Sequence, residues 1–386
     1  KELPGLAIAL VDDQTVVWAK GYGVTKRDGG SPVTPETMHR VGSVSKLFTD
    51  IGVMQLVERG EVDLDAPVTA YLPDFRPENP YGKPITLRQL MSHRSTEPSL
   101  AAMVSSVNGR PLVYEPGART KYSNAGIAVV GYLLERRSGE PFARYLKRAV
   151  LEPMGMGDAA FEPTPEVERR LATAYMWTWD GREFEAPTFQ LGMAPAGSMY
   201  ASVLDLGQFM KVLFADGRGP GGQVIARETL DSMWTPQYAP AGETRGFGIG
   251  FAIGELDGTR RIGHNGAIYG FATELAVLPE EKLGVAVVVT LDGANSVANR
   301  VADTALRAAL AARQGRPVPP AAVPAPVEPA RAAALAGRYA NGRTTLELVD
   351  RYGELRLYDP ARWVLRAFGD TLVVDDRFGY GRRLLP

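Results

Sequence analysis

The sequence predicts an α+β fold in which an antiparallel sheet is flanked by helices and carries an inserted helical subdomain. Strand-like runs stand at the start of the chain and again from about residue 246, with a block of helical patterns between them. A sheet whose halves come from the two ends of one domain requires the helical block to be inserted between them. A separate β-rich stretch at the C-terminus predicts a small all-β, barrel-like domain.

The first predicted elements are a strand pair and a buried helix. Residues 6–11 and 15–20 are β-rich runs around a polar turn, which predicts a hairpin. Thr34-Pro35-Glu36 predicts a short helix start. Residues 44–59 carry dense apolar positions, which is typical of a central helix that is buried on most sides.

Helical patterns dominate the predicted inserted subdomain, residues 61–215. Its clearest helices are predicted at 125–137, 141–150 and 203–214. After residue 246 the period changes to that of strands, and a long helix ends the region. The strands are predicted at 247–253, 260–264, 271–278 and 284–290, and the helix at 295–313.

Composition divides the chain into three predicted segments. Residues 1–315 form the main domain, and residues 331–386 form the small β domain. Between them, residues 316–330 are rich in proline and alanine, which is typical of a semi-rigid, extended linker.

Bulk composition excludes several classes of function. The 43 basic and 44 acidic residues leave a formal charge of −1, which gives no electrostatic reason to bind nucleic acid or an anionic membrane. No apolar run reaches the roughly 18 residues of a membrane span. The chain has no cysteine, and its three histidines are widely spaced, so we expect neither a metal site nor a cofactor. The chain begins at Lys1 almost directly with a strand, so we expect further residues upstream.

Ser43-Val44-Ser45-Lys46 stands where the first long helix begins. Residues three apart on a helix share a face, so Ser43 and Lys46 can meet, whereas Ser45 cannot face Lys46 in the same way. A serine hydroxyl becomes a nucleophile when a neighbouring group takes its proton, and a partly desolvated lysine can serve. The alternative is that Ser43 is only a helix N-cap.

A second cluster, Tyr122 and Asn124, has side chains that could assist a serine nucleophile. Tyr122 and Asn124 lie in a loop before a helix, where the phenol could act as a base and the amide could hold a substrate carbonyl or Lys46. The alternative for Asn124 is a helix cap, and Tyr339-Ala340-Asn341 repeats the pattern in the C-terminal region.

The third cluster, His264-Asn265-Gly266-Ala267, lies at the end of a predicted strand. Its small residues would let a substrate backbone lie against the strand edge, with His264 as a hydrogen-bond donor or charge partner. The alternative is a hairpin turn with an exposed histidine.

The order and spacing of these clusters resemble the serine β-lactamase and penicillin-binding protein superfamily. The branch that it most resembles is the class C β-lactamase-like group, which includes D-aminopeptidases, D-alanyl-D-alanine carboxypeptidases and family VIII carboxylesterases. Supporting stretches are Pro4–Ala9, Leu87–His93 and Pro195–Tyr200. The resemblance covers about residues 1–313 and implies the β-lactamase/transpeptidase-like fold.

The resemblance also implies roles for individual residues. Ser43 would attack the carbonyl and become acylated, and Lys46 and Tyr122 would share the proton transfers, with the choice of base left open. Asn124 would orient the substrate amide or Lys46. His264 stands where class C β-lactamases carry lysine, Gly266 would let the substrate approach, and the N–H groups of Ser43 and Ala267 would form the oxyanion hole.

The predicted function is a cofactor-independent serine hydrolase acting on short-chain esters or small amides through an acyl-enzyme. The alternatives are a D-stereospecific aminopeptidase or D,D-carboxypeptidase, a β-lactamase, and a non-catalytic penicillin-recognising protein. Relatives usually continue after the position of His93 with Thr-Ser-Gly-Leu, whereas this chain reads Arg94-Ser95-Thr96-Glu97, which predicts an altered rim of the site. The family resemblance implies an exported protein, periplasmic or secreted, with a cytoplasmic location as the alternative. The partner is expected to be a small ester or peptide, and the oligomeric state is left open.

Overall fold

A computed structural model describes most of the chain. The described residues are 3–91, 100, 105, 108–118, 120–178, 181–189, 191–240, 242–318, 323–340, 345–358, 363–375 and 383–384. They form two compact units, residues 1–292 and residues 293–386. The predicted domain boundary after residue 315 stays a prediction. The altered rim after His93 lies outside the described residues.

The first unit contains the long strands and most of the helices. Its strands are β1 (Gly5–Asp12), β2 (Thr15–Gly23), β3 (His39–Arg40), β4 (Tyr175–Trp177), β5 (Glu183–Glu185), β6 (Tyr200–Ala201), β7 (Arg218–Gly219), β8 (Gly222–Gln223), β9 (Gly246–Phe247), β10 (Ala252–Leu256), β11 (Thr259–Ile268), β12 (Phe271–Leu278) and β13 (Leu283–Val289). Its helices are α1 (Ser45–Glu58), α2 (Leu87–Met91), α3 (Asn124–Ser138), α4 (Phe142–Leu146), α5 (Pro165–Arg170), α6 (Ala194–Gly197), α7 (Val203–Phe214) and α8 (Arg227–Met233). Short 3₁₀ turns span Gly42–Val44 and Val68–Ala70, and a π-helical turn, Lys147–Leu151, continues α4.

The central sheet joins the two ends of the first unit. Its strand order among the described residues is β2-β1-β13-β12-β11-β10-β9, with every neighbouring pair antiparallel. Strand β1 pairs with β13 from Leu6 opposite Val289 to Asp12 opposite Leu283. The predicted α+β class, with an antiparallel sheet and a helical block inserted between its halves, is therefore confirmed.

The core lies where α1 and the middle strands are covered on all sides. In α1 every residue from Ser45 to Gln55 is buried, and so is Leu56. Strands β12 and β13 are buried along their whole length, as a continuous Val- and Leu-rich run in the centre of a sheet requires. The helix that begins just after Ser43 is thus a rigid support for any chemistry at its start.

Several predicted elements agree with the structure and two do not. The predicted bounds of α7 and β12 are confirmed. Thr34-Pro35-Glu36 does not start a helix, because the Thr37 hydroxyl accepts the Thr34 N–H and closes a turn instead. The strand predicted at 247–253 is two short strands, since Gly250 between them has a φ of +78°, outside the extended region.

The second unit combines two helices with a small sheet. Its elements are α9 (Asn295–Arg313), β14 (Ala325–Pro326), α10 (Pro329–Leu335), β15 (Gly337–Ala340), β16 (Thr345–Arg351), β17 (Glu354–Leu357), β18 (Trp363–Phe368), β19 (Thr371–Val374) and β20 (Arg383–Leu384). The described strands follow the order β15-β16-β17-β18-β19-β20, and β14 pairs with β18. The long helix predicted at 295–313 is confirmed as α9. Within the described residues, no helix is both long and apolar enough to cross a bilayer.

Candidate active site

A tight turn presents Ser43 at the start of α1. Gly42 has a φ of +55°, and a Cβ placed on it would lie 2.8 Å from the backbone nitrogen of Ala267 on β11. A residue with a side chain is therefore disfavoured here on both conformational and steric grounds. Ser43 itself is half-buried in the 3₁₀ turn, and its side chain does not cap the helix. The alternative of a simple N-cap is wrong.

Lys46 lies one turn further along and contacts the Ser43 hydroxyl. The distance from Lys46 Nζ to Ser43 Oγ is 2.9 Å, as the spacing of three residues predicts. A second bond of 2.6 Å joins Lys46 Nζ to the carbonyl oxygen of Ala196 on α6. The lysine is fully buried. It is therefore held in one position against the serine.

Burial makes the Lys46 amine a base at neutral pH. Desolvation lowers the pKa of Lys46 to about 7, and the nearby carboxyl of Asp50 acts in the opposite direction. An ordinary lysine side chain has a pKa near 10.4 and is fully protonated at pH 7. A large fraction of Lys46 is therefore neutral there and has a lone pair that can accept the Ser43 proton.

Tyr122 reaches the same hydroxyl from the loop before α3. Its hydroxyl is hydrogen-bonded to Ser43, and Lys46 Nζ lies 4.9 Å from the centre of its ring. Burial of the phenol raises the pKa of Tyr122 to about 12, against the lowering effect of the bond to Ser43. Tyr122 is thus neutral at pH 7 and can donate a proton. Of the two candidates, Lys46 has the pKa that suits a base.

Asn124 is the first residue of α3 and is exposed. The cap of this helix is Ser123, whose hydroxyl accepts the Gly126 N–H at 2.9 Å, so the alternative that Asn124 caps the helix is wrong. Among the described residues, Asn124 makes no hydrogen bond to Lys46, so the predicted contact with Lys46 is absent. Its predicted contact with a substrate amide stays a prediction.

Strand β11 supplies the opposite wall. His264 is 3% exposed, and its ring centre lies 5.9 Å from that of Tyr122. Burial, with the charge of Lys46, lowers the pKa of His264 to about 4, so the imidazole is neutral at pH 7 and is not the charge partner that the sequence allowed. Its Nδ1 contacts the carbonyl oxygen of Asn265. The alternative of an exposed histidine in a hairpin turn is also wrong.

The end of β11 lies directly against the turn that holds Ser43. A Cβ on Gly266 would lie 2.0 Å from the carbonyl oxygen of Val41, so only glycine allows this approach. Ala267 follows it and is exposed. The close packing of Gly42 on Ala267 places the Ser43 turn beside the Ala267 backbone. The oxyanion hole formed by the two N–H groups stays a prediction.

Three residues of the site were given no role from the sequence. Ser45 donates to the carbonyl of Gly42 at 2.6 Å and accepts the N–H of Met199 at 3.0 Å, so it fixes the turn. Ala196 holds Lys46 through its backbone, which leaves no side-chain signal. Asp50 follows Lys46 by four residues on a buried helix, and that spacing alone was a usable signal. In the described part of the chain, no group of histidine and acidic side chains could hold a metal ion.

The chain is similar in sequence to a known protein family and to curated proteins. The family model "Beta-lactamase" matches residues 1–311. Esterase EstB of Burkholderia gladioli is 29% identical over 302 residues, covering 65% of this chain and 74% of the esterase. Penicillin-binding protein 4 of Amycolatopsis lactamdurans is 27% identical over 359 residues, covering 87% of this chain and 93% of that protein.

A solved structure covers almost the whole chain. The octameric penicillin-binding protein homologue from Pyrococcus abyssi superposes with a TM-score of 0.70 and 27% identity over 99% of this chain and 91% of that one. The fraction of a relative's length that this chain spans varies among relatives. It is only 61% for a β-lactamase-like protein of Homo sapiens. The match of the family model to residues 1–311 shows that this chain belongs to the β-lactamase family.

Proposed function

We propose that this protein is a serine hydrolase that cleaves short-chain esters or small amides through an acyl-enzyme at Ser43. The observation that carries the proposal is the contact of 2.9 Å between Ser43 Oγ and Lys46, a buried lysine with a pKa of about 7. An activated serine needs a base in hydrogen-bond reach whose pKa lies near the working pH. Among the described residues, Lys46 meets both conditions.

The acylation step follows from the positions of these groups. The neutral amine of Lys46 takes the proton of Ser43 as Oγ forms a bond to the substrate carbonyl carbon. The N–H groups of Ser43 and Ala267 stabilise the oxyanion, and each such donor typically contributes about 2.7–4 kcal/mol to transition-state stabilisation. The carbonyl re-forms as the bond to the leaving group breaks, and the neutral Tyr122 donates a proton to that group.

Deacylation returns the serine. Water attacks the ester carbonyl of acyl-Ser43 and gives a proton to the Tyr122 phenolate. The bond to Ser43 Oγ then breaks, the acid leaves, and Oγ regains its proton from the Lys46 ammonium. On the β11 side of the site, the neutral imidazole of His264 can form hydrogen bonds to the substrate without adding a positive charge. A site that recognises the carboxylate of a β-lactam gains from a cation at this position, so the neutral imidazole favours esters and amides over β-lactams.

The test compares substrates and variants. We expect wild-type protein to hydrolyse p-nitrophenyl butyrate with a much higher kcat/KM than nitrocefin, and Ser43→Ala to lose about a thousandfold or more. Ser202→Ala, a serine at another helix start, is the matched control and should retain activity. A D-amino-acid p-nitroanilide in the same series tests the peptidase alternative.

Three results would redirect the proposal. Dominant turnover of nitrocefin would make the protein a β-lactamase. Stoichiometric labelling of Ser43 by a fluorophosphonate without turnover of any substrate would indicate a binding protein that has kept its nucleophile. Unchanged ester hydrolysis by Ser43→Ala would refute the mechanism itself.

A further inference from the structure

A carboxyl group lies in the core one turn beyond Lys46. Asp50 is completely buried, and neither of its side-chain oxygens has a hydrogen-bond partner among the described residues. Residues four apart on a helix lie on the same face, so Asp50 and Lys46 are neighbours on α1. A buried acidic group without hydrogen bonds is rare, because it has lost its hydration without replacement.

The surrounding fold leaves space for this carboxyl. The connection between β9 and β10 passes over it, and a Cβ on Gly250 would lie 2.7 Å from Asp50 Oδ2. Any side chain at position 250 would therefore overlap the carboxyl. An apolar residue at position 50 would bury the same space without the cost of desolvation, so packing does not account for an acid here.

In the described part of the chain, Lys46 is the charged group whose electrostatic effect reaches the Asp50 carboxyl. Burial raises the pKa of Asp50 well above its usual value, whereas the charge of Lys46 lowers it. The reverse influence, of Asp50 on Lys46, raises the lysine pKa. At this end of α1, the titratable groups from the neighbouring elements are Tyr122 before α3 and His264 on β11, and α6 presents the Ala196 carbonyl. Asp50 also raises the pKa of Tyr122.

We propose that Asp50 is a positioning residue whose protonation is coupled to that of Lys46 and which thereby sets the pH range in which Lys46 acts as a base. This inference rests on the proposed function of Ser43 and Lys46. When the pair holds a single proton, the proton is either on the amine, beside a charged carboxylate, or on the carboxyl, beside a neutral amine. Both forms have no net charge, so both are compatible with a buried site.

The sign of the effect of Asp50 follows from this equilibrium. A carboxylate stabilises the ammonium form of Lys46 and so moves its deprotonation to higher pH. Without Asp50 the buried amine has no carboxylate to stabilise its charge, so desolvation keeps it neutral down to a lower pH. The wild-type enzyme should thus lose activity on the acid side at a higher pH than an enzyme without the carboxyl.

The first experiment measures kcat/KM for p-nitrophenyl butyrate between pH 4.5 and pH 9 in wild type and Asp50→Asn. We expect the acid limb to move down by about one pH unit, the scale of the effect of one neighbouring charge. Asp205→Asn is the matched control, because Asp205 is also a buried acid of raised pKa but lies at the start of α7. It should leave the acid limb in place.

A second measurement separates this inference from the proposed function. The ¹³Cε signal of Lys46, assigned by its loss in Lys46→Met, reports the protonation of the amine whether or not the protein turns over substrate. We expect its midpoint to fall in Asp50→Asn and in Asp50→Leu, which keeps the test open if the buried amide prevents folding. An unmoved midpoint overturns the role of Asp50, whereas a moved midpoint without Ser43-dependent hydrolysis overturns only the proposed function.

Discussion

The helices α1 and α7 both begin beside a serine that is followed three residues later by a charged side chain. At α7 the hydroxyl of Ser202 accepts the Asp205 N–H at 3.0 Å, and the Asp205 carboxylate accepts the Ser202 N–H at 2.9 Å. This is a complete capping box. At α1 the hydroxyl of Ser43 instead contacts Lys46, and no side chain caps the helix.

The difference shows how a fold keeps a serine available for chemistry. The hydroxyl of Ser202 is hydrogen-bonded to the backbone of its own helix, so it is already occupied by local structure. The start of α1 is secured by Ser45, which bonds the Gly42 carbonyl and the Met199 N–H. Because Ser45 makes these structural hydrogen bonds, the hydroxyl of Ser43 is available to contact a base and a substrate.

Removing the base gives the largest effect that separates the two helix starts. We expect Lys46→Met to lower kcat/KM by about 10²–10⁴-fold, the usual contribution of a positioned acid or base. Asp205→Asn, the change at the corresponding position of α7, should leave kcat/KM within about twofold of wild type. Steady-state ester hydrolysis at pH 8 is the measurement. A loss of less than tenfold in Lys46→Met would transfer the role of base to Tyr122.

The pH dependence of the wild-type enzyme checks the same assignment. Below the pKa of Lys46, about 7, the amine is protonated and cannot accept the serine proton. We therefore expect kcat/KM to fall about tenfold for each pH unit below that value. Activity that persists unchanged down to pH 5 would mean that a group with a lower pKa is the base.

The turn before α1 provides a smaller effect. Gly42→Ala places a methyl group 2.8 Å from the Ala267 nitrogen in a left-handed conformation, so we expect a ten- to hundredfold loss in kcat and a stability loss of about 1–3 kcal/mol. Gly60→Ala is the control, since Gly60 has a φ of +70° but an added Cβ would have no atom within 4 Å. It should lower stability alone. Equal kinetic losses in both variants would show that strain, not contact with β11, disturbs the site.

The sequence was most informative where local rules decide the structure. The bounds of α7 were predictable because a Ser-x-x-Asp cap precedes an apolar period of helical type. The contact between Ser43 and Lys46 was predictable because both residues lie within one helical turn. These features depend on few residues that are close in the chain.

Features that depend on distant segments were not predictable in the same way. The carbonyl of Ala196 binds Lys46 across 150 positions of the chain. Because every residue has a backbone carbonyl, no residue type in the sequence marks this contact. The neutral state of His264 depends on burial that only the packed sheet creates. The prediction of one strand at 247–253 was wrong because Gly250 has a positive φ where the chain passes over Asp50, and that packing involves a distant residue.

The smallest expected effect concerns the start of α7. Ser202→Ala removes the buried hydroxyl of the capping box, so the Asp205 N–H loses its partner, and we expect unfolding to become easier by about 0.5–2 kcal/mol. Thr164→Ala at the start of α5 removes a single, longer cap bond of 3.2 Å made by an exposed side chain and should cost less. Urea denaturation of both variants measures the difference.

The kinetics of Ser202→Ala complete the contrast between the two helices. The hydroxyl of Ser202 bonds only within its own helix start, so kcat/KM for the folded protein should stay within about twofold of wild type. A large kinetic loss would mean that the position of α7 controls the turn at Ser43, and the division between a structural and a chemical helix start would fail. An unchanged rate with lowered stability is the opposite of the result expected for Ser43→Ala, which should keep its stability and lose its turnover.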